Sequence, residues 1–275
     1  MSSCLITDEY IEHQEYSVHE IIKYKNGIKI ECEDFIAEEV PVALIYNGIS
    51  HVVMMATPSH LESFAIGFSL SERIINNIKE IKNIDIKSNK EGIEVYIELQ
   101  NRPFMMLKEQ RRQLVGRTGC GLCGIEHLKQ AMKPVTQVSD TQRMPLSIIN
   151  QSLKFLYQHQ ELANRTGCTH AAVWLNEQGE LAAIYEDVGR HVALDKLIGA
   201  RAKYPRLTNG AILITSRASY EIIQKATSVG VEILFAVSAP TALAINLAEE
   251  SGLTLIGFCR EGRATIYTHK NRIIN

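Results

Sequence analysis

The second half of the chain alternates short apolar segments with helical ones, and this alternation limits the folds it can adopt. Two strand-like segments, HAAVWLN and ELAAIYED, precede an amphipathic helix, and two further helical segments separate AILIT, VEILFAV and LTLIGF. Strands joined by helices of this length pair in parallel, with right-handed crossovers. The apolar segments lack a regular polar alternation, as expected when helices cover both faces of a sheet. The pattern predicts a layered, mixed or parallel α/β sheet that begins with a hairpin.

The first half of the chain predicts a smaller α+β domain. Asn47-Gly48 lies between two β-branched runs and is typical of a type I′ hairpin turn. TPSHLESFAIGFSLSE predicts a helix capped by Thr57, GIEVYIELQ a half-buried strand, and PFMMLKEQRRQLVG a second helix. Prolines and a lack of periodicity favour a linker near residue 140. The predicted parts are an N-terminal arm with some strand character (1–36), an α+β domain (37–132), a linker (133–146) and an α/β cofactor-binding domain (147–275).

Composition and charge limit the classes of partner. The chain is 45% apolar and 22% charged, with a formal net charge of -2, so no global field directs it to nucleic acid or to an anionic membrane. No apolar run approaches the length of a membrane span, and the polar, acidic N-terminus is untypical of a secretory signal. We therefore expect a cytoplasmic protein. Its six cysteines should then be reduced thiols and not a disulfide framework.

Polar residues follow the three predicted parallel strands where each strand ends. Ser216 and Arg217 follow the first strand, Ser238 follows the second, and the segment 259–263 follows the third. Ligands bind beyond the carboxyl ends of such strands, where helix N-termini offer free N–H groups and arginines can bind phosphate. The chain contains neither GxGxxG nor GxxxxGK[ST]. We expect an anionic ligand, such as a nucleotide, outside the Rossmann and P-loop classes.

The segment RTGCGLCG places two thiols, Cys120 and Cys123, two residues apart between glycines. A structural zinc site needs a second close pair of ligands, and the chain has one CxxC and no zinc-deaminase signature. A thioredoxin-type CxxC follows a strand, whereas a predicted helix precedes this one. A sulfur carrier needs an exposed, partly ionised thiol, and nearby arginines lower a thiol pKa. The residues alone favour sulfur transfer only slightly over a nucleotide-binding dithiol oxidoreductase, and a zinc-binding chaperone module remains a further alternative.

Eight long segments are similar to those of one known family: AEEVPVALIYNGISHVVMMATP, FAIGFSLSE, GRTGCGLCG, TGCTHAA, EDVGRHVALDKLIG, SRASYE, GVEILFAVSAPTALA and GFCREGRATIYT. Together they resemble the FdhD family, which are accessory sulfur-carrier proteins for formate dehydrogenase. The resemblance extends from about Ala37 to Asn275.

The resemblance implies a sulfurtransferase that takes persulfide sulfur from a cysteine desulfurase. It would deliver this sulfur to bis-molybdopterin guanine dinucleotide, the molybdenum cofactor of formate dehydrogenase, which it binds as a substrate. Cys120 corresponds to the persulfide-bearing residue, and Cys123 to the assisting thiol. The family fold is similar to that of cytidine deaminases without their zinc chemistry, so no structural metal is expected. The family also forms homodimers.

The resemblance further implies a contact with the guanine dinucleotide at the third strand end. Its residues are Phe258, Cys259, Arg260, Glu261, Gly262 and Arg263. Glu261 departs from the relatives by placing a negative charge near a phosphate site. Cys168 either lines the cofactor crevice or packs as a small apolar residue. We assign His170, Arg190 and His191 to rim and helix-capping roles, with a phosphate contact by Arg190 or His191 as the alternative.

Overall fold

The computed structural model describes residues 14–115 and 134–274, which form a mixed α/β fold with several sheets. The chain first forms a long antiparallel ribbon from β1 (Tyr16–Lys25) and β2 (Ile28–Ala37), joined by an Asn26-Gly27 turn with positive φ at both residues. The ribbon contacts the rest of the chain through Tyr16, whose hydroxyl lies 2.5 Å from Nη1 of Arg165. The predicted strand character of the arm is confirmed.

The next elements form a four-stranded sheet with the order β4-β3-β6-β5. Its strands are β3 (Val40–Tyr46), β4 (Ile49–Ala56), β5 (Ile81–Asn89) and β6 (Gly92–Leu99), and its helices are α1 (Leu61–Ser71) and α2 (Asn101–Val115). A 3-10 turn covers Ile78–Glu80. The predicted Asn47-Gly48 hairpin is confirmed, with both residues at positive φ. The predicted cap by Thr57 is wrong, because α1 begins only at Leu61, after the left-handed residue His60.

A six-stranded sheet with the order β13-β12-β11-β10-β8-β9 forms the second half. Its strands are β8 (His170–Leu175), β9 (Leu181–Asp187), β10 (Ala211–Ile214), β11 (Ile233–Ala236), β12 (Thr254–Arg260) and β13 (Arg263–Ile266). The helices are α3 (Ile148–His159), α4 (Glu161–Thr166), α5 (Arg190–Lys203), α6 (Tyr220–Ser228) and α7 (Ala242–Ser251). The short strands β7 (Met144–Pro145) and β14 (Ile273–Ile274) pair separately, and 3-10 turns cover Pro205–Leu207 and Lys270–Arg272. The predicted parallel strands and β8–β9 hairpin are confirmed.

Helices cover both faces of the six-stranded sheet, as the unalternating apolar segments predicted. Helices α5, α6 and α7 pack on one face, where Trp174, Ile212 and Leu234 belong to the same buried cluster. Helix α3 packs on the other face, with Val173 and Phe235. None of the helices in the described ranges is both long and apolar enough to cross a membrane.

Helices α1 and α5 join the two sheets at an unusually close crossing. A Cβ added to Gly67 of α1 would lie 1.7 Å from the carbonyl oxygen of Asp195 in α5. A Cβ added to Gly199 of α5 would lie 1.9 Å from the carbonyl oxygen of Ser63. Real side chains cannot occupy such positions, so the crossing requires glycine on both helices.

Two buried ion pairs of the second half lie where the two halves of the chain meet, and each also contacts residues of the first half. Lys225 Nζ of α6 lies 2.9 Å from Asp195 Oδ2, 2.9 Å from Ser71 Oγ and 3.0 Å from Glu72 Oε1. Lys196 Nζ lies 2.7 Å from Asp187 Oδ2, and neither side chain is exposed to solvent. Buried charges require such partners, because removing one partner leaves the other uncompensated inside the protein.

Candidate functional site

The loops that follow β10, β11 and β12 lie side by side at the carboxyl edge of the six-stranded sheet. The amide of Ala218 donates to the carbonyl of Ala239 over 3.2 Å, and the amide of Thr241 donates to the carbonyl of Ala218 over 3.0 Å. The amide of Phe258 donates to the carbonyl of Ser238 over 3.2 Å. The convergence of the three predicted strand ends is therefore present. We call this region the carboxyl edge.

Two further segments reach the same edge because β8 runs antiparallel to its neighbours on both sides. Strand β8 begins there at His170, and β9 ends there at Asp187, directly opposite His170. The amide of Ala171 donates to Thr215 Oγ1, which follows β10, over 2.9 Å. Helix α5 then begins at Arg190, three residues after the end of β9. The carboxyl edge thus includes His170 and the start of α5, to which the sequence analysis gave structural roles.

The carboxyl edge contains two arginines, Arg190 and Arg217, that form no ion pair with a carboxylate of the described residues. Burial lowers the pKa of His170, and the charges of Arg190 and Arg217 lower it further, against an opposing effect of Asp187. Burial also lowers the pKa of His191 to about 4, although the Glu221 carboxylate lies 2.7 Å from its Nε2. Both histidines are therefore neutral near pH 7. Among residues 14–115 and 134–274, no carboxylate forms an ion pair with Arg190 or Arg217.

Three polar atoms at the starts of α5 and α6 are buried without a hydrogen-bond partner in the described part of the chain. They are Nε of Arg190, the hydroxyl of Ser219 and the hydroxyl of Tyr220. Buried polar groups in native proteins are nearly always hydrogen-bonded, so each unpaired one requires an explanation. All three can donate a hydrogen bond to an anion placed at these helix starts.

The three residues predicted in the loops after β10 and β11 differ in their exposure to solvent. Arg217 is exposed, whereas Ser216 is buried and its hydroxyl donates to the carbonyl of Arg217 over 3.1 Å. Ser238 is half-buried, and its carbonyl binds the amide of Phe258. Of these three, Arg217 is the side chain that is open to a ligand. Helices α6 and α7 begin beside these loops, and Thr241 caps α7 by accepting from the amide of Ala244 over 3.2 Å.

An irregularity in β12 gives Phe258 and Cys259, at the third strand end, opposite exposures to solvent. The pairing with β13 shifts register between Gly257 and Arg260, and Phe258 has a φ of +51°. The Phe258 side chain is 40% exposed, while Cys259 is fully buried in the core and burial raises its thiol pKa to about 12. Cys259 was predicted as part of the segment that contacts the cofactor; its side chain is buried in the core, and the contact of the segment stays a prediction.

The rest of this segment forms the exposed turn between β12 and β13. Nη1 of Arg260 donates to the carbonyls of Val237 and Cys259, so the guanidinium lies over the carboxyl end of β11. Glu261 and Arg263 are exposed, and Gly262 has a φ of +70° with its amide bonded to Asn150 Oδ1 over 2.9 Å.

Of the four cysteines predicted for the site, Cys168 and Cys259 are described, and the other two lie outside the described residues. Cys168 is exposed, two residues before β8, and its Sγ lies 3.7 Å from Thr166 Oγ1. Its place just before β8 puts it beside the carboxyl edge, and its exposure excludes the alternative of a buried apolar residue. That it lines the cofactor crevice stays a prediction. Cys120 and Cys123 fall between residues 116 and 133, outside the described ranges.

Sequence reasoning did not place Arg190, His191 and His170 at the carboxyl edge. The signal that could have identified them is topological. A hairpin that starts a parallel sheet places the end of its outer strand at the carboxyl edge, and GRH follows that strand end directly. The start of α5 should then have been counted with the starts of α6 and α7.

The chain was compared with protein families and with solved structures. The model of the FdhD/NarQ family matches residues 37–274. A crystal structure from Desulfotalea psychrophila, described as that of a formate dehydrogenase accessory protein, is similar with a TM-score of 0.73 and 22% sequence identity. This likeness covers 95% of this chain and 100% of that chain, and at this identity it shows a shared fold. Because the family match spans well over half of its length, the chain belongs to the FdhD/NarQ family.

Proposed function

We propose that this protein is a sulfurtransferase that serves the maturation of formate dehydrogenase. It carries sulfur as a persulfide on Cys120 and delivers it to bis-molybdopterin guanine dinucleotide held at the carboxyl edge. The family match over residues 37–274 is the observation that carries the proposal. The description of the similar solved structure as a formate dehydrogenase accessory protein agrees with it.

Loading of the carrier is a thiol exchange with a cysteine desulfurase. The Cys120 thiolate attacks the outer sulfur of the donor persulfide, and the sulfur–sulfur bond of the donor breaks as a new one forms on Cys120. The donor cysteine leaves as a thiolate, so no net oxidation or reduction takes place. In the sequence, three arginines precede the pair, namely Arg111, Arg112 and Arg117, and positive charge beside a thiol favours its thiolate.

Delivery uses the second thiol as the source of electrons. The Cys123 thiolate attacks the inner sulfur of the Cys120 persulfide, which forms a Cys120–Cys123 disulfide and releases the outer sulfur as hydrosulfide, with its proton taken from solvent. The two electrons that reduce the transferred sulfur come from the two thiols. A cellular dithiol reductant then restores the pair for the next cycle.

The carboxyl edge supplies the groups that bind the phosphates of the cargo. Arg190 and Arg217 are not neutralised by carboxylates of the described residues, and the N-termini of α6 and α7 open beside them. The exposed ring of Phe258 and the guanidinium of Arg260 lie on the adjacent strand end and suit the guanine base and its ribose phosphate. The proposal also includes a cysteine desulfurase as the sulfur donor and formate dehydrogenase as the acceptor. It further includes a homodimer and a cytoplasmic location.

The test of this function is the detection of persulfide on Cys120. After incubation with a cysteine desulfurase and cysteine, mass spectrometry of alkylated peptides should find one additional sulfur on the peptide that contains Cys120. The adduct should be absent without desulfurase and removable by a reductant. Stoichiometric zinc with no adduct would support the chaperone alternative, and turnover of a Cys120–Cys123 disulfide without desulfurase would support a dithiol oxidoreductase.

Replacing Arg217 with alanine should weaken the binding of guanosine diphosphate, a fragment of the cargo. A charge-assisted hydrogen bond contributes about 1.5–3 kcal/mol, so we expect at least a roughly tenfold loss of affinity in calorimetry. Arg206 is a matched control, because it is exposed on the 3-10 turn that precedes β10, at the opposite edge of the sheet. Equal losses for Arg217→Ala and Arg206→Ala would contradict a phosphate site at the carboxyl edge.

A further inference from the structure

We infer that Asp187 is a positioning residue for the carboxyl edge. It fixes the turn that carries Arg190 and His191 and connects that turn to the four-stranded sheet through Thr57. The inference deepens the proposed function, on which it rests for the identity of the ligand.

Asp187 uses both of its carboxylate oxygens for contacts between distant parts of the chain. Oδ1 accepts from the amide of Gly189 over 2.7 Å. Oδ2 accepts from the amide of Thr57 over 3.1 Å and from its hydroxyl over 2.8 Å, and Lys196 Nζ lies 2.7 Å away. The Asp187 side chain that receives all four contacts is not exposed to solvent. One carboxylate thus determines where three segments meet.

The contact with Gly189 acts directly on the start of α5. Gly189 is the residue before α5, and a Cβ added to it would lie 3.3 Å from Asp187 Oδ1 and 3.6 Å from the carbonyl oxygen of Met55. The turn between β9 and α5 is therefore held between the Asp187 carboxylate and the end of β4. Since Arg190 and His191 are the first two residues of α5, their position follows from this turn.

Thr57 and Lys196 hold the carboxylate itself in place. Lys196 Nζ donates to Thr57 Oγ1 over 2.7 Å, and Thr57 Oγ1 in turn donates to Asp187. Thr57 directly follows β4, so this chain of hydrogen bonds runs from the four-stranded sheet to the carboxyl edge. A network in which every member is satisfied holds a single geometry better than isolated contacts do.

A second effect of Asp187 is electrostatic and can be measured without any ligand. Asp187 lies opposite His170 in the β8–β9 ladder, and its charge raises the pKa of His170 against the effects of burial, Arg190 and Arg217. Replacing the carboxylate with a neutral amide removes this opposing effect. The pKa of His170 should therefore fall further.

The test is Asp187→Asn, examined by binding and by nuclear magnetic resonance. Asparagine keeps one acceptor oxygen but offers an N–H₂ group where Asp187 accepts from Thr57 and Lys196. We expect affinity for guanosine diphosphate to fall at least about tenfold, because a displaced Arg190 would lose a charge-assisted hydrogen bond to phosphate, which contributes about that much. The amide resonances of Arg190 and His191 should shift, and the ring titration of His170 should move to lower pH.

Asp195→Asn is the matched control. Asp195 is equally buried and pairs with Lys225, but its network lies away from the carboxyl edge, between α1, α5 and α6. It should lower stability while leaving guanosine diphosphate affinity and the His170 titration unchanged. If Asp187→Asn fails to fold, Thr57→Val removes one hydroxyl from the same network, and we expect a severalfold loss of affinity that Thr57→Ser restores.

The outcomes separate this inference from the proposed function. Unchanged resonances of Arg190 and His191 together with an unchanged His170 titration in Asp187→Asn would overturn the positioning role. Equal affinity losses for Asp187→Asn and Asp195→Asn would also overturn it. Failure of the unmodified protein to bind guanosine diphosphate would instead refute the proposed cargo site, and the resonances would still decide the role of Asp187.

Discussion

Cys120→Ala is expected to abolish the maturation of formate dehydrogenase. Removing the atom that carries the transferred sulfur removes the covalent step itself, and losses of this kind are about 100-fold or larger. The measurement is formate-dependent dye reduction by extracts of cells whose own copy of this gene has been deleted and replaced by the variant. Normal dye reduction with Cys120→Ala would contradict the sulfur-carrier proposal.

Variants of two other cysteines, Cys32 and Cys123, test whether the loss is specific to Cys120. Cys32 is half-buried on β2, outside the candidate site, and Cys32→Ala should mature formate dehydrogenase normally. Cys123→Ala should load sulfur but release it slowly, because the thiol that attacks the persulfide is missing. Persulfide would then accumulate on Cys120. Cys259 is unsuitable as a control, since its truncation would leave a cavity in the core.

Gly67→Ala is expected to destabilise the protein by about 3 kcal/mol or more, at the upper end for overpacked cores. The new methyl group would lie 1.7 Å from the carbonyl oxygen of Asp195 and 2.7 Å from the amide nitrogen of Gly199. Both neighbours are backbone atoms of α5, which cannot rotate away as a flexible side chain could. Helices α1 and α5 would have to separate, and the loss should appear as a lower midpoint in urea denaturation.

Gly167→Ala is the control for this substitution. Gly167 ends α4 with a φ of +72°, and no atom lies within 4 Å of the position of an added Cβ. Alanine there has only the backbone strain of the left-handed conformation, about 1 kcal/mol. Similar losses for the two variants would mean that the α1–α5 crossing is less tight than the structure has it.

The arrangement of the carboxyl edge was largely predictable because it follows from topology. Once β10, β11 and β12 are parallel, their carboxyl ends lie on one edge of the sheet, and that edge then includes both Arg217 and Phe258. The local alternation of apolar and helical segments is therefore enough to predict that these strand ends share one edge.

Contacts between distant segments were not predictable from local patterns. Thr57 resembles a helix cap, but its hydroxyl binds Asp187, 130 residues away, and that contact prevails over the local preference. Nothing in the sequence pairs Gly67 with Gly199 either. The burial of Cys259 depends on a shift of register at Phe258, and a single shifted residue reverses which side chains face the core.

The glycine crossing of α1 and α5 has a mechanical consequence for any partner protein. Separating the two sheets would pull Lys225 of α6 away from Ser71 and Glu72, which belong to the first half of the chain, and a buried lysine would lose two of its partners. Such a loss is strongly unfavourable. The two sheets therefore move as one block. A large partner that docks on one sheet meets the other at a fixed distance and angle.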